Sequence, residues 1–323
     1  MKENILITGG AGYIGSHVVE SLIKKNYNVI VIDNLSTGYK RLLNKKVKFY
    51  KININQKLKI HKIIKKHNIS SVFHLAAHLS VGESEKKPKK YFLNNVKGTK
   101  SLLQACYQTN VRNFLFSSTC AVYKDGIFKV TERTKLSPKS VYGKTKLAGE
   151  KLLKIYSKKY NLKYGILRFF NVAGSSPSGK IGLIKKGDQL FKNLSIAVFK
   201  KKPIANIYGG NYNTPDGTCI RDYIHVCDIA DLHHKVLIKI QKSKKSIVAN
   251  CGYGHGFSVL EIINKFQKIS KKRFSIKIKN KRKGDMEKII SSSSKLTNLI
   301  KWKPQYNNLS LMVKSSISWE KKL

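Results

Sequence analysis

Residues 5–15 read Ile5-Leu6-Ile7-Thr8-Gly9-Gly10-Ala11-Gly12-Tyr13-Ile14-Gly15. An apolar run suited to a short buried strand meets a glycine-rich turn, and an amphipathic stretch then continues to about Lys25. Gly10, Gly12 and Gly15 satisfy GxGxxG, while Gly9, Gly12 and Gly15 satisfy GxxGxxG. Either spacing lets backbone approach a pyrophosphate at a helix N-terminus. The glycines alone are a weak signal; the order of strand, turn and helix gives them weight. Asn28-Val29-Ile30-Val31-Ile32 supplies a second strand, and Asp33 ends it at the distance where an acid meets the adenosine ribose hydroxyls. A carboxylate there favours NAD over NADP, because it would repel a 2′-phosphate. The plain alternative is a turn joining strand to helix, with Asp33 capping the next loop.

The alternation continues with a strand at Val72 to Ala77, a helix around Asn95 to Cys106, a strand at Phe114 to Phe116 and a helix from Tyr142 to about Lys159. This pattern predicts an α/β fold with a Rossmann-type doubly wound parallel sheet. We place an NAD-binding domain at residues 1–171 and a smaller C-terminal α/β substrate-binding lobe at 172–323, with about 217–240 returning to pack on the first. Ala76 and Ala77 suit either close approach of a cofactor or tight helix–sheet packing, and sequence leaves both open. His74 and His78 stand four apart, but no glutamate follows His74 as a metalloprotease motif demands, so no metal is expected. Ser291 to Ser294 reads as a loop leading into a helix N-terminus.

The 323 residues, 41% hydrophobic, suffice for a substantial core. Lys and Arg total 64 against 17 Asp and Glu, a net charge of +47. Such a balance suggests a polyanion partner, yet the lysines are spread through the whole chain and form no basic tail or nucleic-acid module. We therefore expect a solvated lysine surface that draws in small anions, and no specific nucleic acid. Five cysteines, widely spaced and without CxxC, fit reduced thiols in a cytoplasm. Met1-Lys2-Glu3-Asn4 runs straight into the first strand, leaving no room for a signal peptide, and no run approaches the roughly 20 apolar residues of a membrane span.

The chemistry centres on Tyr142-Gly-Lys-Thr-Lys146. On a helix, positions i and i+4 share a face about one turn apart, so phenol and ammonium can address one bound molecule. A free phenol titrates near ~10, and each unit of depression corresponds to about 1.4 kcal/mol, so a nearby cation and a charged nicotinamide would bring it toward working pH. Alone, such a pair is as readily a packed tyrosine beside a solvated lysine.

ITGGAGYIGSH from Ile7, VIDNLSTG from Val31, HLAAHLSVGES from His74, NNVKGT from Asn94, FSSTCAVY from Phe116, SVYGKTK from Ser140, RFFNVAG from Arg168, DGTCIRDYIHV from Asp216 and RKGD from Arg282 occur in this order. Together they make the chain resemble the UDP-glucose (UDP-galactose) 4-epimerases of the extended short-chain dehydrogenase/reductase superfamily. The resemblance implies an isomerase of galactose metabolism. A hydride would pass from C4 of the sugar to tightly held NAD and return to the opposite face after the 4-keto sugar has turned, so that no cofactor is consumed. Tyr142 would be the general base, Lys146 would bind the nicotinamide ribose and lower the phenol's pKa, and Thr119 would hydrogen-bond the reacting oxygen.

The resemblance assigns cofactor contacts to Gly9, Gly12, Tyr13, Ile14 and Gly15, to Asp33, Asn34, Leu35, Ser36, Thr37 and Gly38, and to Asn53, Ile54, Leu75, Ala76, Leu79, Asn95 and Phe170, besides the catalytic three. Asn53 stands where an aspartate usually meets the adenine amino group, and Leu79 where one branch carries lysine. Substrate contacts, with Thr119 and Tyr142, fall on Asn171, Gln189, Leu190, Asn206, Tyr208 beneath the uracil, Arg221, Arg282, Asp285 and Ile289. Gln189 replaces a common asparagine and Lys192 a frequent proline. Ile289, where a large tyrosine restricts the sugar pocket in some members, leaves UDP-GlcNAc and UDP-GalNAc open as further substrates. A homodimer through two helices of the cofactor lobe is also implied. The main rival is an NAD-dependent nucleotide-sugar dehydratase or decarboxylase. A 4,6-dehydratase needs an acid to expel the 6-hydroxyl, and Thr119-Cys120-Ala121-Val122-Tyr123 offers no carboxylate. A non-enzymatic polyanion binder is the rival of another class.

Overall fold

The computed structural model describes residues 2–107, 109, 111–282 and 284–323; Lys283 of the RKGD motif lies outside them. Strands β1 (Asn4–Thr8), β2 (Asn28–Asp33), β3 (Lys48–Lys51), β4 (Ser71–His74) and β5 (Asn113–Thr119) alternate with α1 (Tyr13–Lys24), α2 (Lys57–Lys66), α3 (Val81–Lys86), α4 (Pro88–Tyr91) and α5 (Gly98–Tyr107). The short β6 (Lys129–Val130), α6 (Val141–Tyr160), β7 (Lys163–Phe169) and β8 (Asn171–Ala173) follow. The remainder comprises α7 (Leu190–Val198), β9 (Ile204–Tyr208), β10 (Ile220–Arg221), β11 (Tyr223–His225), α8 (Val226–Ser243), β12 (Ile247–Cys251), β13 (Phe257–Ser258), α9 (Val259–Ser270), β14 (Ser275–Lys279), β15 (Lys288–Ser291), α10 (Ser294–Ile300) and α11 (Leu309–Glu320).

The main sheet has seven strands in the order β12-β7-β5-β4-β1-β2-β3, and every pairing in it is parallel. The order reverses at β1, so the carboxyl ends of β1 and β4 flank the crevice where doubly wound sheets bind ligands. Both faces are covered, which is why the strands read as unbroken apolar runs. Ile5 and Ile7 enter the cluster under α1 and α8, while Leu6, Ile30 and Ile32 enter the one under α2, α5 and α6. The first cluster runs on without a break into Phe191, Leu194, Ile262, Phe266, Met312 and Val313 of α7, α9 and α11.

Residues after 172 therefore supply α8 and β12 to the main sheet layer, and the smaller sheets β13-β10-β15-β6, β11-β8 and β14-β9 stand beside it. The helix expected from Asn95 to Cys106 is two segments: a π-helical turn over Phe92–Lys97 and then α5. Ser291 ends β15 and Ser293 precedes α10 without a side-chain capping bond; the serine run does lead into a helix N-terminus. Among the described residues no helix is long and apolar enough to cross a membrane.

Candidate active site

The glycine turn is dictated by contact. Gly9 has φ +72°, and a Cβ on it would stand 2.6 Å from the Ala76 nitrogen; a Cβ on Gly15 would stand 2.1 Å from the Gly9 carbonyl oxygen. Side chains there would force the turn, α1 and the end of β4 apart. Gly12 caps α1 with no side chain to offer, leaving first-turn N–H groups for an anion. Asp33, 8% exposed, accepts the Ala11 N–H at 3.0 Å through Oδ2 and the Leu35 N–H at 2.8 Å through Oδ1, lashing the end of β2 to the turn. Leu35 follows at φ +60°, and Tyr39 donates to the Ala11 carbonyl at 2.8 Å, so residues 33–39 close over the glycines. The first-turn N–H groups of α1 beside a buried acid fit a dinucleotide with a free ribose 2′-hydroxyl. Of the two roles left open for Ala76, the close packing on Gly9 is present here.

Thr119 ends β5, Tyr142 opens α6 and Lys146 lies one turn on. Ser140 caps α6 by accepting the Gly143 N–H at 3.1 Å, while Glu85 and Ser84 of α3 accept the N–H groups of Val141 and Tyr142 at 2.8 and 3.1 Å. Gly143 is required, because a Cβ would stand 2.3 Å from the Ala121 carbonyl oxygen. Tyr142 comes close enough to Thr119 for the threonine hydroxyl to favour the phenolate. Burial nevertheless pushes the Tyr142 phenol up to about 12, with the Thr119 bond opposing it and Cys120 adding to it. Lys146, 4% exposed, is itself brought down to about 7 by burial, opposed by the Glu150 carboxylate. Its Nζ sits 4.5 Å above the Phe116 ring. Burial raises the phenol and lowers the amine, so the depression of the phenol expected from Lys146 does not appear in the protein alone.

Glu150 ties this centre together and was not foreseen. Fully buried one turn after Lys146, it holds the 1%-exposed Arg168 through Nε at 2.9 Å and NH2 at 2.7 Å, and it accepts Ser118 Oγ at 2.5 Å. Arg168 continues through NH1 to the Tyr123 hydroxyl at 3.0 Å. One carboxylate thereby fixes α6, β7 and the residue before Thr119.

Beside this centre lies a cavity of about 690 Å³. Its wall includes Asn171, Gln189, Leu190, Asn206, Tyr208, Arg221, Arg282 and Asp285, nine of the sequence-assigned residues once Leu79 is added. Leu79, assigned to the cofactor, thus stands in the wall that carries the residues assigned to substrate. Arg282 stacks 4.1 Å over the Tyr208 ring and lies 3.3 Å from Asp285. Arg221 engages the carbonyls of Ile220 and Glu287 at 3.0 and 3.1 Å and that of Met286. Lys192, which the resemblance sets in place of a frequent proline, is buried in an ion pair with Glu320 at 2.6 Å, pinning α7 to α11.

Other assignments sit elsewhere. Ile289 is 1% exposed among Cys120, Val122, Tyr123, Val130 and Phe170, outside the cavity wall. Asn53 Oδ1 accepts the Asn55 N–H at 2.9 Å, a turn bond that competes with an adenine contact. Asn95 bonds the backbone of His78 at both N–H and carbonyl and reaches Thr145 at 3.1 Å, joining the segment after β4 to α6. Tyr13 donates to the Gly174 carbonyl, fastening α1 to the turn after β8. Ile14 packs on the main core, and Ile54 fills the space that a Cβ on Gly98 would need. Sequence reasoning missed Lys186, Lys200, Lys277 and Lys279, which also line the cavity; the alternation Ser275-Ile-Lys-Ile-Lys279 was the available signal.

Fold and site define an α/β enzyme in which a hydroxyl, a phenol and a buried amine converge between a dinucleotide turn and a nucleotide-sized cavity. The chain belongs to the NAD dependent epimerase/dehydratase family, matched over residues 5–252. A UDP-glucose 4-epimerase of Lactobacillus helveticus is 39% identical over 321 residues, 98% of this chain and 97% of its own length. The structure of UDP-glucose 4-epimerase from Brucella ovis in complex with NAD aligns with a TM-score of 0.93 at 33% identity, over 98% of this chain and 97% of that one. That from Bifidobacterium longum in complex with NAD+ and UDP aligns with a TM-score of 0.92 at 34% identity, over 99% and 98%.

Proposed function

We propose that this protein is an isomerase that interconverts UDP-glucose and UDP-galactose by reversible oxidation at C4 of the sugar, with NAD as a resident cofactor. The observation that carries the reading is the meeting of Thr119 and Tyr142 beside the cavity that holds Arg221, Arg282 and Tyr208. The turn from Gly9 to Gly15 and Asp33 would hold the cofactor, and when bound it supplies reversible two-electron oxidation of a secondary alcohol. Tyr142 takes the 4-hydroxyl proton and later returns it, while Thr119 hydrogen-bonds the same oxygen. A phenol held at about 12 is a poor base at neutral pH. The positive charge it needs has two sources, protonated Lys146 and the cationic nicotinamide. Asn206, Tyr208 and the arginines grip the nucleotide end, so the sugar end is free to present either face to Tyr142.

The same reading makes residues 1–171 the cofactor domain and 172–323 the substrate lobe, with the stretch from α8 through β12 packed back on the first. It also makes the protein a cytoplasmic homodimer. Tyr107 and Ile155, 52% and 62% exposed on α5 and α6, offer apolar area for a second copy. Acceptance of N-acetylated UDP-sugars is decided by comparing rates on the two substrate pairs. The test of the function is turnover of UDP-galactose to UDP-glucose by protein purified with its NAD. No interconversion, or full turnover by Tyr142→Phe, overturns it.

A further inference from the structure

Strand β14, Ser275-Ile276-Lys277-Ile278-Lys279, turns its two lysines toward the cavity. Alternation sets the isoleucines on one side and the lysines on the other. The strand pairs in parallel with β9, placing Lys277 opposite Asn206 and Lys279 opposite Tyr208, and both lysines line the nucleotide cavity with those residues. Ile276 and Ile278 are left 45% and 68% exposed. All five residues of β14 are exposed; the isoleucines share a face with the buried Ala205 and Ile207 of β9, and the lysines share the other with Asn206 and Tyr208. The next lysine, Lys281, is held differently, 4.3 Å above the Tyr212 ring with Nζ 3.3 Å from the Asn211 carbonyl. Neither Lys277 nor Lys279 belongs to an ion pair among the described residues.

The charge of the cavity points the same way. Lys186, Lys200, Lys277, Lys279, Arg221 and Arg282 face Asp188 and Asp285, six cations against two carboxylates. The arginines are partly committed: Arg282 is shared with Asp285, and Arg221 donates to three backbone carbonyls. A diphosphate entering this space needs further cations, and β14 presents two.

We propose that Lys277 and Lys279 form an anion-binding wall of the cavity that holds the phosphates of a nucleoside diphosphate from the β14 side. This rests on reading the cavity as a nucleotide-sugar site. The lysines touch no reacting atom, so their effect falls on binding and leaves the chemical step alone.

The experiment compares NAD-loaded wild type, K277Q/K279Q and a charge-matched control, K65Q/K66Q, on the exposed face of α2. UDP binding is measured by calorimetry at low and high salt, alongside kcat and KM for UDP-galactose. In K277Q/K279Q, UDP affinity is expected to fall about tenfold at low salt, with KM rising in parallel and kcat unchanged. The deficit shrinks as the screening length drops from about 10 Å at 0.1 M salt to about 3 Å at 1 M. The control behaves as wild type. Wild-type UDP affinity in K277Q/K279Q, or an equal loss in the control, overturns the proposal, the latter by tracing the effect to the field of the whole molecule. Wild-type protein that binds UDP without turning over UDP-galactose refutes the epimerase reading instead, and the calorimetry still decides the lysines.

Discussion

Replacing Glu150 by Gln is expected to damage stability and pH dependence together. The carboxylate is fully buried, forked onto an equally buried Arg168 and bonded to Ser118. The amide would keep the shape and remove the charge, leaving a guanidinium uncompensated in the interior, which costs about 3–5 kcal/mol. At about 2 °C per kcal/mol for a chain of this size, the melting temperature falls by roughly 6–10 °C. The second effect runs through Lys146. Side chains four apart on a helix have Cβ atoms about 5–6 Å apart. At that separation and an effective dielectric of about 20, a unit-charge pair is worth up to about 3 kcal/mol. Burial already holds Lys146 at about 7, and Glu150 opposes that descent. Without it the amine loses its proton at lower pH, so the alkaline limb of kcat moves down by as much as about two pH units. The assay is thermal unfolding of both proteins at saturating NAD, so that ligand stabilisation cancels, with kcat followed from about pH 5 to 10. The double variant Glu150→Gln/Arg168→Met recovers much of the stability but not the pH profile, because the stranded cation is gone while Lys146 still lacks its carboxylate. A melting temperature within about 2 °C of wild type, the equivalent of about 1 kcal/mol, together with an unmoved alkaline limb refutes the reasoning.

Thr119→Ser keeps the hydroxyl and is expected to stay within a few-fold of wild-type kcat, whereas Thr119→Ala loses about 10²–10³-fold, the usual effect of removing one donor from a reacting oxygen; steady-state kinetics separates the two. Gly143→Ala places a Cβ 2.3 Å from the Ala121 carbonyl oxygen, so α6 must retreat and Tyr142 with it. A displacement of about 1 Å lowers kcat on the order of 10²-fold, and equal kcat for the two proteins would show that the close approach is dispensable. Burial lowers His17 and His233 to about 4 and His74 and His225 to about 3. Depressed native values mean that the unfolded chain binds more protons below the ordinary value near 6.5, so this stability is fully present above pH 6.5 and is lost as pH falls toward 4. Urea midpoints measured from pH 8 to 4 are expected to drop steeply in that window, and a flat profile would contradict the burial of these rings.

What could be read from sequence was local, and what could not was either distant or camouflaged. The glycine turn, Asp33 and the Tyr142–Lys146 pair are each written within a few residues, so periodicity and spacing exposed them. The π-helical turn over Phe92–Lys97 hid because its residues carry an ordinary helical pattern; only the structure shows Asn95 bonded to His78 and Thr145 across three segments. The Glu150–Arg168 pair spans two elements, and β12 joins the main sheet from beyond the sequence boundary placed at 172. The cavity lysines were concealed differently. In a chain with 64 Lys and Arg against 17 acids, another lysine carries almost no information, and the charge was set aside as a solvated surface. Placement restores that information: on β14 the lysines share a face with Asn206 and Tyr208 of β9 and line the cavity with them. A compositional excess of one residue type therefore does not argue against function at particular copies of it, and the copies to examine are those that line a cavity beside other polar and cationic side chains.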